Sequence, residues 1–149
     1  MKFKEYFNPV GLPFAIMVCM SIVVAFIMYL DQVLNPFPWV RTLMFFIYLA
    51  VPLFLNLVLL TWIGMLIARQ KNSNLTDSII ASVACGVFAT LVYSIFISFF
   101  TYISIAQSSP EKYDPMFMLF GNGFVGTIIY CFIGIIFGSI GYWLAKNKK

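Results

Sequence analysis

Long runs of apolar residues, interrupted by three short polar segments, dominate the chain. A helix needs about 20 mostly apolar residues to cross about 30 Å of hydrocarbon. Runs of that length cover approximately residues 12–30, 42–68, 79–105 and 116–145. The polar segments between them are rich in Asn, Ser, Asp and Pro, which are typical of turns. The pattern therefore predicts an all-α integral membrane protein whose four transmembrane helices form a single domain over residues 1–149.

The composition favours the same class of protein. Of the 149 residues, 62% are hydrophobic and only 9% are charged, whereas soluble domains have about 45–50% apolar and about 25% charged residues. The chain has too few polar side chains to cover a surface that faces water. We therefore expect the chain to be embedded in the lipid bilayer and to have the bilayer as a binding partner.

The basic residues predict the orientation of the helices, because short cytoplasmic loops carry an excess of Lys and Arg. One side of the membrane collects both termini, the segment between the second and third spans, and seven of the nine basic residues: Lys2, Lys4, Arg69, Lys71, Lys146, Lys148 and Lys149. Arg41 and Lys112 fall on the other side. We expect both termini in the cytoplasm. The abundant Phe, Ile, Lys and Asn fit an AT-rich prokaryotic genome, so we expect the membrane to be a prokaryotic inner membrane. The basic residues are divided among three short segments, so we expect no binding of nucleic acid.

The ends of the second and fourth spans are similar in sequence. Residues 63–71 read IGMLIARQK and residues 140–148 read IGYWLAKNK, with Ile, Gly, Ala and the final Lys identical at matched places. Both segments leave the membrane on the same side. One interpretation is a duplication that gives two tandem helical hairpins, related by a pseudo-twofold axis along the membrane normal, a repeat type found in transporters. The alternative is an independent origin, because the first and third spans show no comparable match.

One face of the fourth span is nearly bare of side chains. With about 100° between successive residues, four glycines and Tyr130 fall on a single narrow face, whereas Gly121 lies about 160° away from Gly123. The four glycines are Gly123, Gly134, Gly138 and Gly141. Gly134 and Gly138 have the GxxxG spacing that lets two helix backbones approach closely.

The third span offers a matching row of small residues. They recur every four positions as Ser82, Gly86, Thr90, Ser94 and Ser98. We predict that this row packs on the glycine face of the fourth span within one molecule. The alternative is that the glycine face joins two copies of the chain.

Pro52 and Asn56 lie one helical turn apart near the middle of the second span. Proline removes a backbone hydrogen bond, which predicts a kink. An unpaired amide in hydrocarbon costs several kcal/mol, so we expect Asn56 to be buried and bonded to a hydroxyl group such as that of Thr90 or Ser94. The alternative is that the kink and the amide line a path for a substrate.

The ionisable residues give no pattern for catalysis. The chain has no His and only five acids, and its spans lack the charged residues that mark proton relays. The acids Asp31, Glu111 and Asp114 fall in loops, where carboxylates are usually solvated. The cysteines lie singly in three spans without a CxxC motif, which argues against disulfide redox chemistry. We therefore expect no enzymatic activity, no metal and no cofactor.

The layout resembles small prokaryotic proteins of four transmembrane helices whose function is unknown. The resemblance is in the short Arg69-Gln70-Lys71 turn, the segment Tyr93-Ser94-Ile95-Phe96 and the Gly-rich last helix that ends in lysines. It implies no functional residues. The sequence favours a non-catalytic accessory or assembly subunit that packs with a membrane partner or with itself, because that role needs only helix faces. The alternative is a small homo-oligomeric channel or facilitator for a neutral or lipid-like substrate.

Overall fold

The chain forms four long helices in the computed structural model, which describes residues 3–34, 38–70, 73–106 and 115–147. The helices are α1 (Phe3–Leu34), α2 (Pro38–Ala68), α3 (Leu75–Ala106) and α4 (Pro115–Lys146). Each contains an apolar stretch long enough to cross a membrane, and no strand occurs in the described ranges. The predicted all-α class with four membrane-spanning helices is confirmed.

The helices extend beyond the predicted spans, most of all at the start of α1. This helix begins at Phe3 instead of near residue 12, and it contains Pro9 and Pro13. Membrane helices tolerate internal prolines because neighbouring groups satisfy the freed carbonyls, and Pro13 is fully buried. α2 likewise remains helical on both sides of Pro52, so the proline does not end it. The predicted kink there stays a prediction.

α2 and α3 form the centre of the bundle. The most extensive contact is between α3 and α4, α1 packs on α2 and α3, and α1 scarcely touches α4. A twofold axis that exchanged the two hairpins would make the α2–α3 contact equivalent to the α1–α4 contact. In the described residues these contacts are unequal, so the predicted pseudo-twofold symmetry does not extend over the bundle. The hairpins α1–α2 and α3–α4 are consecutive in the chain, but no twofold axis relates one to the other.

The core lies where the first three helices meet. Met17 of α1, Leu60 and Ile63 of α2, and Cys85 of α3 are almost completely inaccessible. α4 is the least buried of the four helices, and it exposes large side chains such as Phe132. It is the small residues on its opposite face that attach α4 to the rest of the bundle.

Candidate functional site

α4 crosses α2 so closely that the contact has no room for a side chain. A methyl group added at Gly64 would lie 2.6 Å from the carbonyl oxygen of Gly138. One added at Gly141 would overlap the carbonyl oxygen of Thr61 and lie 2.8 Å from the backbone nitrogen of Met65. Both partners are rigid backbone, which cannot move aside as a flexible side chain can. A side chain at either position would therefore force the two helix backbones to move apart.

This crossing has a local symmetry that the whole bundle lacks. Gly64 and Gly141 occupy matched places in the similar ends of α2 and α4, and the same alignment matches Thr61 with Gly138. Exchanging matched residues turns the contact of Gly64 with Gly138 into the contact of Gly141 with Thr61, and both contacts are present. The resemblance between the two helix ends thus coincides with a nearly twofold contact between them.

The other glycines of the predicted face contact α3. A methyl group at Gly134 would lie 2.8 Å from the Cα of Val83, and one at Gly138 would lie 2.9 Å from the Oγ of Ser82. The contact is looser at Gly123, where the same group would lie 3.8 Å from the nearest atoms, those of Ser94. Gly126 lies before Tyr130 and is also tightly packed, because a methyl group there would overlap the Cγ2 of Thr90. α3 and α4 are therefore in close contact on both sides of Tyr130, through backbone atoms at Gly134 and through a side chain at Gly126.

The three atoms nearest to a methyl group at Gly141 belong to α2, not to α3 as the sequence led us to expect. The antiparallel register that places Gly138 against Ser78 puts Gly141 level with the first residue of α3, Leu75. At that level α2 provides the neighbouring backbone. Gly121 points away from the contact, since a methyl group there would meet nothing within 4 Å.

Asn56 and Tyr130 form a hydrogen bond between α2 and α4. The Nδ2 of Asn56 donates to the Oη of Tyr130 over 2.7 Å, and Asn56 is only 8% exposed. Gly86 of α3 makes room for the tyrosine ring, because a methyl group on it would lie 3.0 Å from the Cδ1 of Tyr130. The site is thus a junction of three helices near the middle of the bundle. Half-buried Pro52 lies one turn before Asn56 on α2.

The partners expected for Asn56 were wrong, although a hydroxyl group does bind it. The Oγ1 of Thr90 donates to the carbonyl oxygen of Gly86 on its own helix, over 2.9 Å, and the Oγ of Ser94 has no partner among the described residues. Short hydroxyl side chains in helices commonly bond to the preceding turn, whereas a tyrosine reaches across to a neighbouring helix. One sequence feature could have indicated Tyr130 as the partner of Asn56. Tyr130 is the only large polar residue on the glycine face.

A hydrogen bond between α3 and α2 lies close to the junction. The Oγ of Ser82 donates to the carbonyl oxygen of Leu60 over 3.1 Å, so this serine contacts α2 as well as Gly138 of α4. The hydroxyl of Tyr93 donates to the sulfur of Met28 on α1, also over 3.1 Å. Side chains on α3 therefore contact all three other helices.

Among the described residues, the polar side chains that meet at the junction are those of Asn56 and Tyr130, which form a neutral hydrogen bond. The Oδ1 of Asn56 is buried and has no hydrogen-bond partner in the described part of the chain. Within that part, no group of three His, Cys, Asp or Glu side chains could hold a metal ion. The side chain of Asp31 and the residues Glu111 and Asp114 lie outside the described residues.

The helix lengths and the broad apolar exterior define the class of this protein as an all-α integral membrane protein. Comparison with known protein families, with curated proteins and with solved structures finds no match to this chain. The resemblance to small prokaryotic membrane proteins therefore stays a prediction, and a proposal about function rests on the residues themselves.

Proposed function

We propose that this protein is a non-catalytic accessory or assembly subunit that binds an apolar transmembrane helix of a membrane partner through the outer face of α1. The observation that carries the proposal is the position of this face at the edge of the bundle. Gly11, Ala15 and Cys19 recur there at four-residue spacing, and all three are exposed. A methyl group at Gly11 would meet nothing within 4 Å, so this part of the face has no neighbour among the described residues.

The use of glycine elsewhere in the chain supports this proposal. Without a hydrophobic driving force in lipid, small residues promote helix association by allowing close backbone contact. On α4, Gly134, Gly138 and Gly141 do so within the molecule. That surface is already covered, whereas Gly11, Ala15 and Cys19 on α1 are exposed. Their face therefore suits a helix from another chain.

Replacing Gly11 by leucine should weaken association with the partner and leave the fold intact, because the added side chain projects from the outer face of α1 and a methyl group there meets none of the described residues within 4 Å. The matched control is Gly121→Leu, another exposed glycine with nothing within 4 Å of an added methyl group. Both variants are purified in mild detergent, and co-eluting chains are identified by mass spectrometry. Equal recovery of the partner by both variants would contradict the proposed face.

The native cysteines allow a direct test of which helix meets the partner. Cys19 is exposed on α1, Cys131 is half-buried on α4 and Cys85 is buried. Variants that retain only Cys19 or only Cys131 are labelled in membranes with a thiol-specific photo-cross-linker that inserts into C–H bonds, because an apolar partner helix offers no amine at that depth. We expect the partner to be captured through Cys19. Capture through Cys131 alone would place the partner on the wrong side of the bundle.

A second candidate function is a homo-oligomeric channel or facilitator for a neutral or lipid-like substrate. The buried amide oxygen of Asn56, without a partner in the described residues, favours it, because a passing polar group could bind there. This function requires a pure homo-oligomer that carries substrate flux in liposomes. The flux should be lost in Asn56→Leu.

We further propose that both termini lie in the cytoplasm of a prokaryotic cell. The support is the distribution of basic residues, seven on one side and two on the other. A reporter that is active only in the cytoplasm should be active when fused after Lys149 and inactive when inserted between Ser108 and Pro115. The opposite pattern would contradict this orientation.

A further inference from the structure

The close crossing of α2 and α4 brings two cations to the same end of the bundle. Gly64 and Gly141 meet at the crossing, and each is followed five residues later by a basic residue, Arg69 directly after α2 and Lys146 at the end of α4. At about 1.5 Å per residue, both cations lie about 7–8 Å beyond the crossing. Both are exposed. They therefore occupy one level at one end of the molecule, which we call the α2–α4 basic rim.

Aromatic and apolar side chains lie just below this rim. Trp143 is 59% exposed and precedes Lys146 by about one turn, and Trp62 is 38% exposed and precedes Arg69 by about two turns. Tryptophan prefers the level between headgroups and acyl chains. Below Trp143, α4 exposes Ile136 and Phe132. The order of cation, indole and apolar side chain matches the phosphate, the ester region and the acyl chain of a phospholipid.

The charge at this end is positive. By sequence, Lys71, Lys148, Lys149 and the two N-terminal lysines belong to the same side as the rim cations, against Glu5 and Asp77. Asp77 accepts a hydrogen bond from the backbone N–H of Asn74 over 3.0 Å, at the start of α3. The rim lysine also packs on aromatic surface, since the Nζ of Lys146 lies 5.5 Å from the centre of the Tyr142 ring. The acids are outnumbered, which leaves a field that attracts anions.

We propose that the α2–α4 basic rim binds the phosphate groups of anionic phospholipids in preference to zwitterionic ones. A zwitterionic headgroup carries its own cation, which Arg69 and Lys146 repel, whereas a headgroup such as phosphatidylglycerol has none. Each basic residue near a membrane surface contributes about fivefold to binding of anionic lipid. This proposal does not depend on the accessory role or on the outer face of α1.

The test compares the binding of phosphatidylglycerol and phosphatidylcholine to the full chain in a non-ionic detergent, measured by native mass spectrometry. Wild type should prefer phosphatidylglycerol. Arg69→Gln and Lys146→Gln should each lower that preference about fivefold, and the double variant should lower it further. The matched control is Lys112→Gln. The sequence places Lys112 on the opposite side of the membrane, so this variant removes the same charge there and should leave the preference for phosphatidylglycerol unchanged.

Three results would overturn the proposal. Wild type could bind both lipids equally, or Lys112→Gln could lower the preference as much as Lys146→Gln, which would indicate an effect of net charge alone. Inorganic phosphate could also protect the protein from thermal unfolding as well as phosphatidylglycerol does, which would indicate a site for a free anion. Because Arg69 and Lys146 are exposed, circular dichroism should show that all variants remain folded.

Discussion

Gly141→Ala should already destabilise the bundle, and Gly141→Leu should separate α4 from α2. A methyl group at this position would overlap the carbonyl oxygen of Thr61 and approach the backbone of Gly64 to 3.0 Å. Overpacking of a tight contact typically costs about 1–3 kcal/mol, so we expect about that loss for alanine and a larger one for leucine. The local symmetry of the crossing predicts a similar cost for Gly64→Ala, because its methyl group would also meet backbone atoms.

The measurement is unfolding of purified variants by increasing SDS in mixed micelles. Gly121→Leu is the matched control on the same helix, and its added side chain should change the unfolding free energy by no more than about 0.5 kcal/mol. Because the crossing is internal, the loss at Gly141 should not depend on protein concentration. A concentration-dependent shift from oligomer to monomer, with the fold retained, would instead assign the glycine face to a contact between two chains.

Tyr130→Phe should cost about 1–2 kcal/mol of stability. The substitution removes the Oη that accepts the Nδ2 hydrogen bond of Asn56 over 2.7 Å. It leaves a buried amide whose two ends have no partner among the described residues. Ring packing against Gly86 is retained, so the loss reports on the hydrogen bond. The matched control is Tyr102→Phe, because Tyr102 is exposed on α3 and its hydroxyl is removed from a lipid-facing surface.

A double variant distinguishes the stabilisation by the hydrogen bond between Asn56 and Tyr130 from the cost of leaving the amide of Asn56 unpaired. In Asn56→Leu/Tyr130→Phe both polar partners are absent, and replacing both partners by apolar groups is often nearly neutral. We therefore expect the double variant to be more stable than Tyr130→Phe alone in the same SDS titration. If the two substitutions simply add, the amide and the phenol do not interact energetically and the junction is held by packing.

The helices and the glycine face could be predicted because both depend on local regularities. A bilayer requires about 20 apolar residues per span, and unpaired backbone groups in lipid force each span to be helical. The helical repeat then fixes which residues share a face, so Gly134 and Gly138 fall together and Gly121 falls opposite. None of these inferences requires knowledge of a neighbouring helix.

The identity of each neighbour was decided only by the tertiary structure. The sequence placed Tyr130 on the glycine face, but it could not show that the phenol reaches Asn56 while the hydroxyl of Thr90 turns back to its own helix. It could not show that Gly141 meets α2, because that depends on where α3 begins relative to α4. Nor could the similar helix ends show that their symmetry stops at the α2–α4 crossing.

The physical reason is that a helix carries its periodicity within itself, whereas its rotation, depth and crossing angle result from packing against several helices at once. α4 is seated by backbone contact on α2 at Gly141 and on α3 at Gly134, and neither contact is specified by the sequence around it alone. The sequence by itself determined four membrane-spanning helices and the face by which α4 can be approached. The joint packing of α2, α3 and α4 decided which atoms meet there.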